Sequence, residues 1–355
     1  MNLAFILAGI LIFGVLIAVH ELGHFAAAKL CGVRVNEFSI GMGPVIFQRE
    51  RGETLYSLRL LPVGGFCALE GEDEDTNDER AFVRQGFWKK FLVLVAGSGM
   101  NFVAGIVIVA CLFGSAQGFY VDKIVGFAEG FPHEGENGLM VGDIIHKVDG
   151  YRAYLYGDAA MFLQYNDGDG IDLELIRNGE KIVLKDFPMY RATYDGQEGR
   201  FGLSVGVHMV EGTFLTRVQY IWYQTLDFVQ QTWFGLVQLI RGSVGMSELS
   251  GPVGLVSTMT EVGSAAQESG GVVAAVWNLA YIAALLAVNL GVMNLLPIPA
   301  LDGGRVFFLV LDAMCLLIFR RKIPEKYQAF INAAGFVIIM GFMLLVTFQD
   351  VIKLF

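Results

Sequence analysis

Residues 3–24 read Leu-Ala-Phe-Ile-Leu-Ala-Gly-Ile-Leu-Ile-Phe-Gly-Val-Leu-Ile-Ala-Val-His20-Glu21-Leu22-Gly23-His24. A continuously apolar run therefore ends on two histidines and a glutamate. A membrane-spanning helix needs about 20 mostly apolar residues. Four stretches meet that length, roughly 3–28, 91–116, 272–297 and 328–349. The whole chain agrees: of 355 residues, 54% are hydrophobic and only 17% charged, with a mean hydropathy of +0.54. A composition this apolar requires several segments to face lipid. Residues 3–19 lack the basic flank of a secretory leader and no small-residue cleavage site follows, so they are expected to be retained as a span.

The net charge of −10 comes without a basic stripe, which excludes a nucleic-acid partner. Cys31, Cys67, Cys111 and Cys315 lie far apart in apolar or near-membrane stretches. Their spacing fits buried apolar thiols rather than a metal site or a disulfide framework.

Between the first two spans, residues 31–90 alternate apolar residues with glycine, as in Phe38-Ser39-Ile40-Gly41-Met42-Gly43-Pro44 and Pro62-Val63-Gly64-Gly65-Phe66. The pattern predicts membrane-associated β-hairpins. The acidic run 70–79 reads as a solvated loop. Residues 118–210 form one inserted α+β domain, with strands at Ile171–Ile176 and Lys181–Leu184 joined by an Asn178-Gly179 turn. In 211–271, Leu215, Val218, Trp222, Leu226, Val229, Trp233, Leu236 and Ile240 recur at helical spacing. That helix is either interfacial or a fifth span. The expected fold is thus a polytopic α-helical membrane protein of about four transmembrane helices. The spans fall within 1–30, 91–117, 272–305 and 306–355, the last opening with a cytoplasmic loop.

On a helix, His20 and His24 share a face and can direct ring nitrogens at one ion, with Glu21 beside them to act on a metal-bound water. Two histidines and a glutamate in an apolar helix are costly unless they are used. A catalytic zinc takes three protein ligands and leaves a fourth position open. Position 30, where an extended zinc-protease pattern has a histidine, is Leu30. His133, His146 and His208 all fall in the inserted domain. A carboxylate remains: Asp302 is the single charged residue of segment 272–304, while Glu37, Glu50 and Glu53 lie in a loop region where solvated side chains are ordinary.

Topology tests this choice. If the first span runs inward, the second returns and the third runs inward again. His20, His24 and Asp302 then share the inner end, provided 214–240 stays out of the bilayer. We therefore assign that stretch to the interface. Arg34, Arg49, Arg51, Arg59, Arg84, Lys89 and Lys90, with Arg305, Arg320, Arg321, Lys322 and Lys326, put positive charge on the same, cytoplasmic side.

With these residues in place the sequence resembles the site-2 protease family of intramembrane zinc metalloproteases, and within it the bacterial regulator-of-sigma-E group. The matches are His20–His24, the Asn294…Pro297…Pro299…Leu301-Asp302-Gly303-Gly304 motif, Gly251-Pro252-Val253-Gly254, and the domain inserted after the second span. The resemblance implies Zn2+ held by His20, His24 and Asp302, Glu21 as catalytic base, and Asn294 in contact with the substrate backbone. It implies a multi-pass protein of the bacterial inner membrane acting on single-span substrates such as trimmed anti-sigma factors or remnant signal peptides. Residues 118–208 resemble a PDZ domain, carrying Gly142-Asp143 and Val148-Asp149-Gly150, and are expected outside the cytoplasm. Such domains bind extended chain ends by strand addition. Family members often carry two of these domains; this chain has room for one. The hairpin glycines Gly64 and Gly65 are expected to hold substrate extended. A non-catalytic adaptor recruiting partners through the PDZ domain, or a transporter with structural zinc, shares most of these features. Glu21 favours catalysis, because a structural site has no use for it.

Overall fold

The computed structural model describes residues 3–72, 76–166, 170–194, 196–243, 245, 249–321 and 324–353. Residues 73–75 of the acidic run and Lys322 of the basic cluster lie outside these. The chain divides into two units, residues 1–108 with 244–355, and residues 109–243.

In the first unit, α1 (Leu3–Cys31) and α2 (Phe87–Phe113) flank a sheet of β1 (Val35–Arg51) and β2 (Thr54–Leu69). Helix α1 continues through His20, Glu21 and His24 to Cys31, so the polar motif lies on it. Its Leu16 packs with Met259, Leu279, Leu286 and Ala287. Its C-terminal Ala27 and Ala28 join Val33, Val35, Leu69, Val93 and Leu94. These two apolar cores fix α1 against the elements on either side.

β1 and β2 pair antiparallel, but their register shows that both long elements bend. Segment 37–40 is flanked by 65–68 on one edge and by 55–58 on the other; 55–58 in turn adjoins 47–50. The expected hairpins are thus folded into four short strands, with 65–69 on the outside. Gly41 makes one bend possible: its φ is +84°, and a Cβ there would meet the Leu61 carbonyl oxygen at 2.6 Å. The sheet lies along the apolar part of α1, where a Cβ at Gly14 would stand 2.4 Å from the Pro62 carbonyl oxygen.

The second half of this unit departs from the expected spans. Helix α5 runs Pro252–Asn294 and is broken at Gly271, whose φ of 73° and ψ of −171° leave the helical region. The break falls where the third span was expected to begin; residues 252–270, read from sequence as linker, are helical as well. Asp350 of α7 (Glu325–Lys353) accepts the Gly251 and Gly254 amides at 2.8 Å each. These are orphan donors of a helix N-terminus, and the carboxylate satisfies them from another helix. Asp302 does not end α5. It opens a separate helix, α6 (Asp302–Phe319), in the region expected to be a loop, after a turn over 295–301. Proline at 297 and 299 interrupts the helix, and the following apolar residues resume it.

Among the described residues, four helices are long and apolar enough to cross a membrane: Leu3–Cys31, Phe87–Phe113, Pro252–Asn294 and Lys326–Lys353.

In the second unit, a sheet of order β10-β3-β4-β6-β7 contains β3 (Gly118–Phe127), β4 (Ile144–Val148), β6 (Ile171–Arg177), β7 (Glu180–Phe187) and β10 (Leu203–Glu211); β5 (Tyr151–Arg152) pairs with β4. Asn178 and Gly179 both have positive φ, as the expected two-residue turn requires. Arg177 donates to both oxygens of buried Asp143 at 2.8 Å, tying the 138–143 turn to β6. Helix α3 (Asp158–Gln164) and the hairpin of β8 (Ala192–Tyr194) and β9 (Gln197–Arg200) complete the domain.

Helix α4 (Phe214–Arg241) packs on this domain and is not among the four spanning candidates. Phe234 enters the domain core beside Tyr151, Phe162 and Tyr165. The Gln230 amide accepts from the Arg152 N–H and donates to its carbonyl. Of the apolar stripe read from sequence, Leu215, Val218, Trp222, Trp233 and Ile240 are exposed, Ile240 by 84%, and Leu226, Val229 and Leu236 are half-buried.

Candidate metal centre

The described residues contain one group of three or more His, Cys, Asp or Glu side chains able to hold a metal: His20, His24 and Asp302. One helical turn brings the two imidazoles together, with their Nε2 atoms 3.1 Å apart. Asp302 Oδ2 lies 3.0 Å from His20 Nε2 and 3.2 Å from His24 Nε2. Tetrahedral ligands at about 2.0–2.1 Å from zinc stand about 3.3 Å from one another, so this triangle is close to one face of such a site.

The donor chemistry fits a cation as well. Asp302 Oδ2 is buried and forms no hydrogen bond despite both short approaches. His24 Nδ1 lies 2.8 Å from the Val93 carbonyl oxygen. An Nδ1–H donated there leaves the Nε2 lone pair free for a metal.

Glu21 opens into the same cavity, a space of ≈ 790 Å³. Its walls come from α1, α2 and α6, from Phe66, Cys67, Ala68 and Leu69 of the outer strand, and from Asn332 and Phe336 of α7. Glu72 and Arg305, both lining the cavity, form an ion pair. A Cβ at Gly65 would stand 3.4 Å from Glu21 Cγ, so the outer strand passes directly beside that carboxylate. Gly64 turns away from the site, with φ +89° and its Cα facing Met42. Asn294, the last residue of α5, is half-buried and is not among the residues that line the cavity. Glu37, Glu50 and Glu53 are likewise absent from its walls. Glu37 bonds Ser57 and Arg59, and Glu53 bonds Lys29 and Arg80.

Comparison with known proteins agrees with the geometry. The profile of peptidase family M50 matches residues 8–342. The chain belongs to peptidase family M50. Its relatives include a Clostridium perfringens protein carrying a zinc-metalloprotease name, 34% identical over 98% of each chain. The zinc metalloprotease RasP of Shouchella clausii is 30% identical over 99% of each chain. The regulator of sigma-W protease RasP of Bacillus subtilis is 28% identical, again over 99% of each. The M50 assignment covers the first unit's helices and both parts of the candidate centre.

Reading the sequence alone missed the contribution of α2 to this M50 centre. A Cβ at Gly97 would meet His24 Nε2 at 2.3 Å and His20 Cε1 at 2.8 Å, and one at Gly23 would meet the Ala96 carbonyl oxygen at 2.3 Å. Glycine on both helices allows the backbones this close. The available signal was Gly97-Ser98-Gly99-Met100-Asn101, small residues and an amide inside an apolar span.

Proposed function

We propose that this protein is an intramembrane zinc metalloprotease that cuts single-span membrane proteins within or near their transmembrane segments. The convergence of His20 Nε2, His24 Nε2 and Asp302 Oδ2 carries the reading. These three side chains hold the zinc, and Glu21 is the catalytic base. Bound zinc supplies a Lewis acid that brings the pKa of water to about 7 and polarises the scissile carbonyl. Glu21 takes the proton of the attacking water and delivers it to the departing amine nitrogen.

A substrate helix satisfies its amides internally and must be opened before it can be cut. The outer strand 65–69 has β1 on one edge and no strand on the other among the described residues. Its side chains line the cavity, so an unwound substrate segment can be held there as an added strand. Gly65 gives that segment room beside Glu21. Asn294 contacts the substrate only if the segment extends beyond the cavity.

Residues 118–210 are a PDZ domain that binds extended peptides, and the exposed stripe of α4 rests at the membrane interface. Tryptophan is favoured there, and here Trp222 and Trp233 share the stripe. With α4 out of the bilayer, the candidate centre faces the cytoplasm and the PDZ domain the opposite side of a bacterial inner membrane. Substrates of the class expected from the family resemblance are anti-sigma factors already trimmed outside, or remnant signal peptides.

Full-length protein in liposomes, assayed for zinc and for cleavage of a single-span test protein, tests the reading. Wild type and Glu21→Gln should both hold zinc, with cleavage by Glu21→Gln slower by about 10²–10⁴-fold, while Asp302→Asn should lose the metal. Gly65→Pro should impair cleavage of a helical substrate more than that of an unfolded peptide. Zinc-loaded wild type that cleaves nothing would instead make this chain an adaptor.

A further inference from the structure

The two histidines of the centre differ in how their second ring nitrogen is held. His24 Nδ1 faces a backbone carbonyl of α2, that of Val93. His20 Nδ1 faces a side chain of the same helix, Asn101, two turns further on, with 3.4 Å between Nδ1 and the amide nitrogen Nδ2. Asn101 is completely buried, and its oxygen Oδ1 has no hydrogen-bond partner. A buried amide oxygen left unpaired costs about 1–3 kcal/mol.

If His20 Nε2 is to offer its lone pair to a metal, the ring proton must sit on Nδ1. An Nδ1–H needs an acceptor, and the amide nitrogen of Asn101 has no free lone pair to give. Turning the Asn101 amide by half a revolution exchanges its oxygen and nitrogen. Oδ1 then accepts the His20 Nδ1–H, and the unpaired oxygen and the ring proton satisfy each other. Among the described residues, no other side chain is hydrogen-bonded to His20 Nδ1.

We propose that Asn101 is the positioning residue for His20: its amide oxygen holds the imidazole in the tautomer and orientation that present Nε2 to the metal. Helix α2 then supplies the outer hydrogen bond of both histidines, through Val93 and Asn101. The role rests on the reading of His20 as a zinc ligand and adds to it a residue that touches neither metal nor substrate. Its burial suits that role, since water kept from Nδ1 cannot replace the amide oxygen as the acceptor and leave the orientation loose.

The test measures zinc affinity of the full-length protein in detergent by competition with a chromophoric chelator, comparing wild type, Asn101→Leu, Asn101→Asp and His20→Ala. Leucine keeps the size and apolar packing of the site but offers no acceptor; aspartate keeps the acceptor. Asn101→Leu should bind zinc about 10–100-fold more weakly than wild type, with Asn101→Asp within a few-fold of it. Thermal unfolding of the chelated proteins controls for packing and should be alike for wild type and Asn101→Leu. Unchanged affinity in Asn101→Leu, or equal losses in the leucine and aspartate variants, overturns the proposal while zinc binding by wild type leaves the metal reading intact. If His20→Ala binds zinc as wild type does, the metal reading itself fails and Asn101 has nothing to position.

Discussion

At Gly97 a single methyl group decides whether the two imidazoles can converge. The Cβ of an alanine would overlap His24 Nε2, the atom that must point at the metal. Gly97→Ala should therefore abolish stoichiometric zinc binding and cleavage, whereas Gly99→Ala, whose Cβ meets nothing within 4 Å, should leave both intact. Gly99→Ala should also raise stability slightly, by up to about 1 kcal/mol, because alanine is the better helix former. Zinc content and melting curves of the two variants check this pair. The contrast explains what could be read from residues alone. His20 and His24 announce themselves by spacing, and Asp302 by being a lone charge in apolar surroundings. Gly97 and Asn101 acquire their roles only where α1 crosses α2, and no single-helix pattern encodes a crossing.

Among the elements, α4 shows the limit of periodicity most clearly. Its helical repeat was legible, but the polar and aromatic face that packs on the domain was not. Most of the apolar stripe is exposed, as an interfacial helix expects, while Gln224, Asp227, Phe228, Phe234 and Gln238 are buried. Helix α6 was hidden for a different reason: residues 302–319 carry Asp302, Arg305 and Asp312 and follow a proline-containing turn that reads as loop. The buried face of α4 carries a titratable contact. Asp227 shares a hydrogen bond with Asp158 at the start of α3, near Asp122 of β3. Burial foremost, then the Asp158 carboxylate, pushes Asp227 up to about 8; burial also pushes Asp158 up to about 6, against the Leu155 and Tyr154 amides that hold it lower. Burial likewise raises Asp122. Because the folded-state values lie above those of the unfolded chain, folding takes up protons. The contribution is complete below about pH 4 and is lost as pH rises through about 8. Hydrogen exchange of the α4 amides should accordingly report weaker protection at pH 9 than at pH 6, after correction for the intrinsic rate. Asp227→Asn should flatten that dependence; a wild-type profile already flat would show that the pair does not titrate in this range.

For the molecule as a whole, the number of crossings settles whether the parts of the centre can meet. Three crossings bring His20, His24 and Asp302 to one side; a crossing by α4 would separate them. Single-cysteine reporters in a variant lacking the four native thiols test the count in intact spheroplasts. A membrane-impermeant maleimide should label position 180, the exposed first residue of β7, and should reach position 50 in the sheet only after lysis. Labelling of both from outside would remove the proposed orientation. The four long apolar helices and the clustering of His20, His24 and Asp302 were readable because each leaves a local composition signal. The bent four-strand sheet was only half readable, since its alternation is plain but its register depends on which segments fold back on one another.

That sheet has a further consequence for the reaction. Among the described residues, the outer strand 65–69 has an edge without a strand partner, and its residues 66–69 line the cavity beside α1. Backbone amides and carbonyls there need hydrogen bonds whether or not a substrate is present. Between turnovers, water must meet that need. Hydrolysis consumes one water for every bond cut, at a place surrounded by helices that repel it. On the proposed function, the strand that receives the substrate therefore also offers a hydrated path by which the second reactant reaches the candidate centre, and a bound chain closes that path behind it.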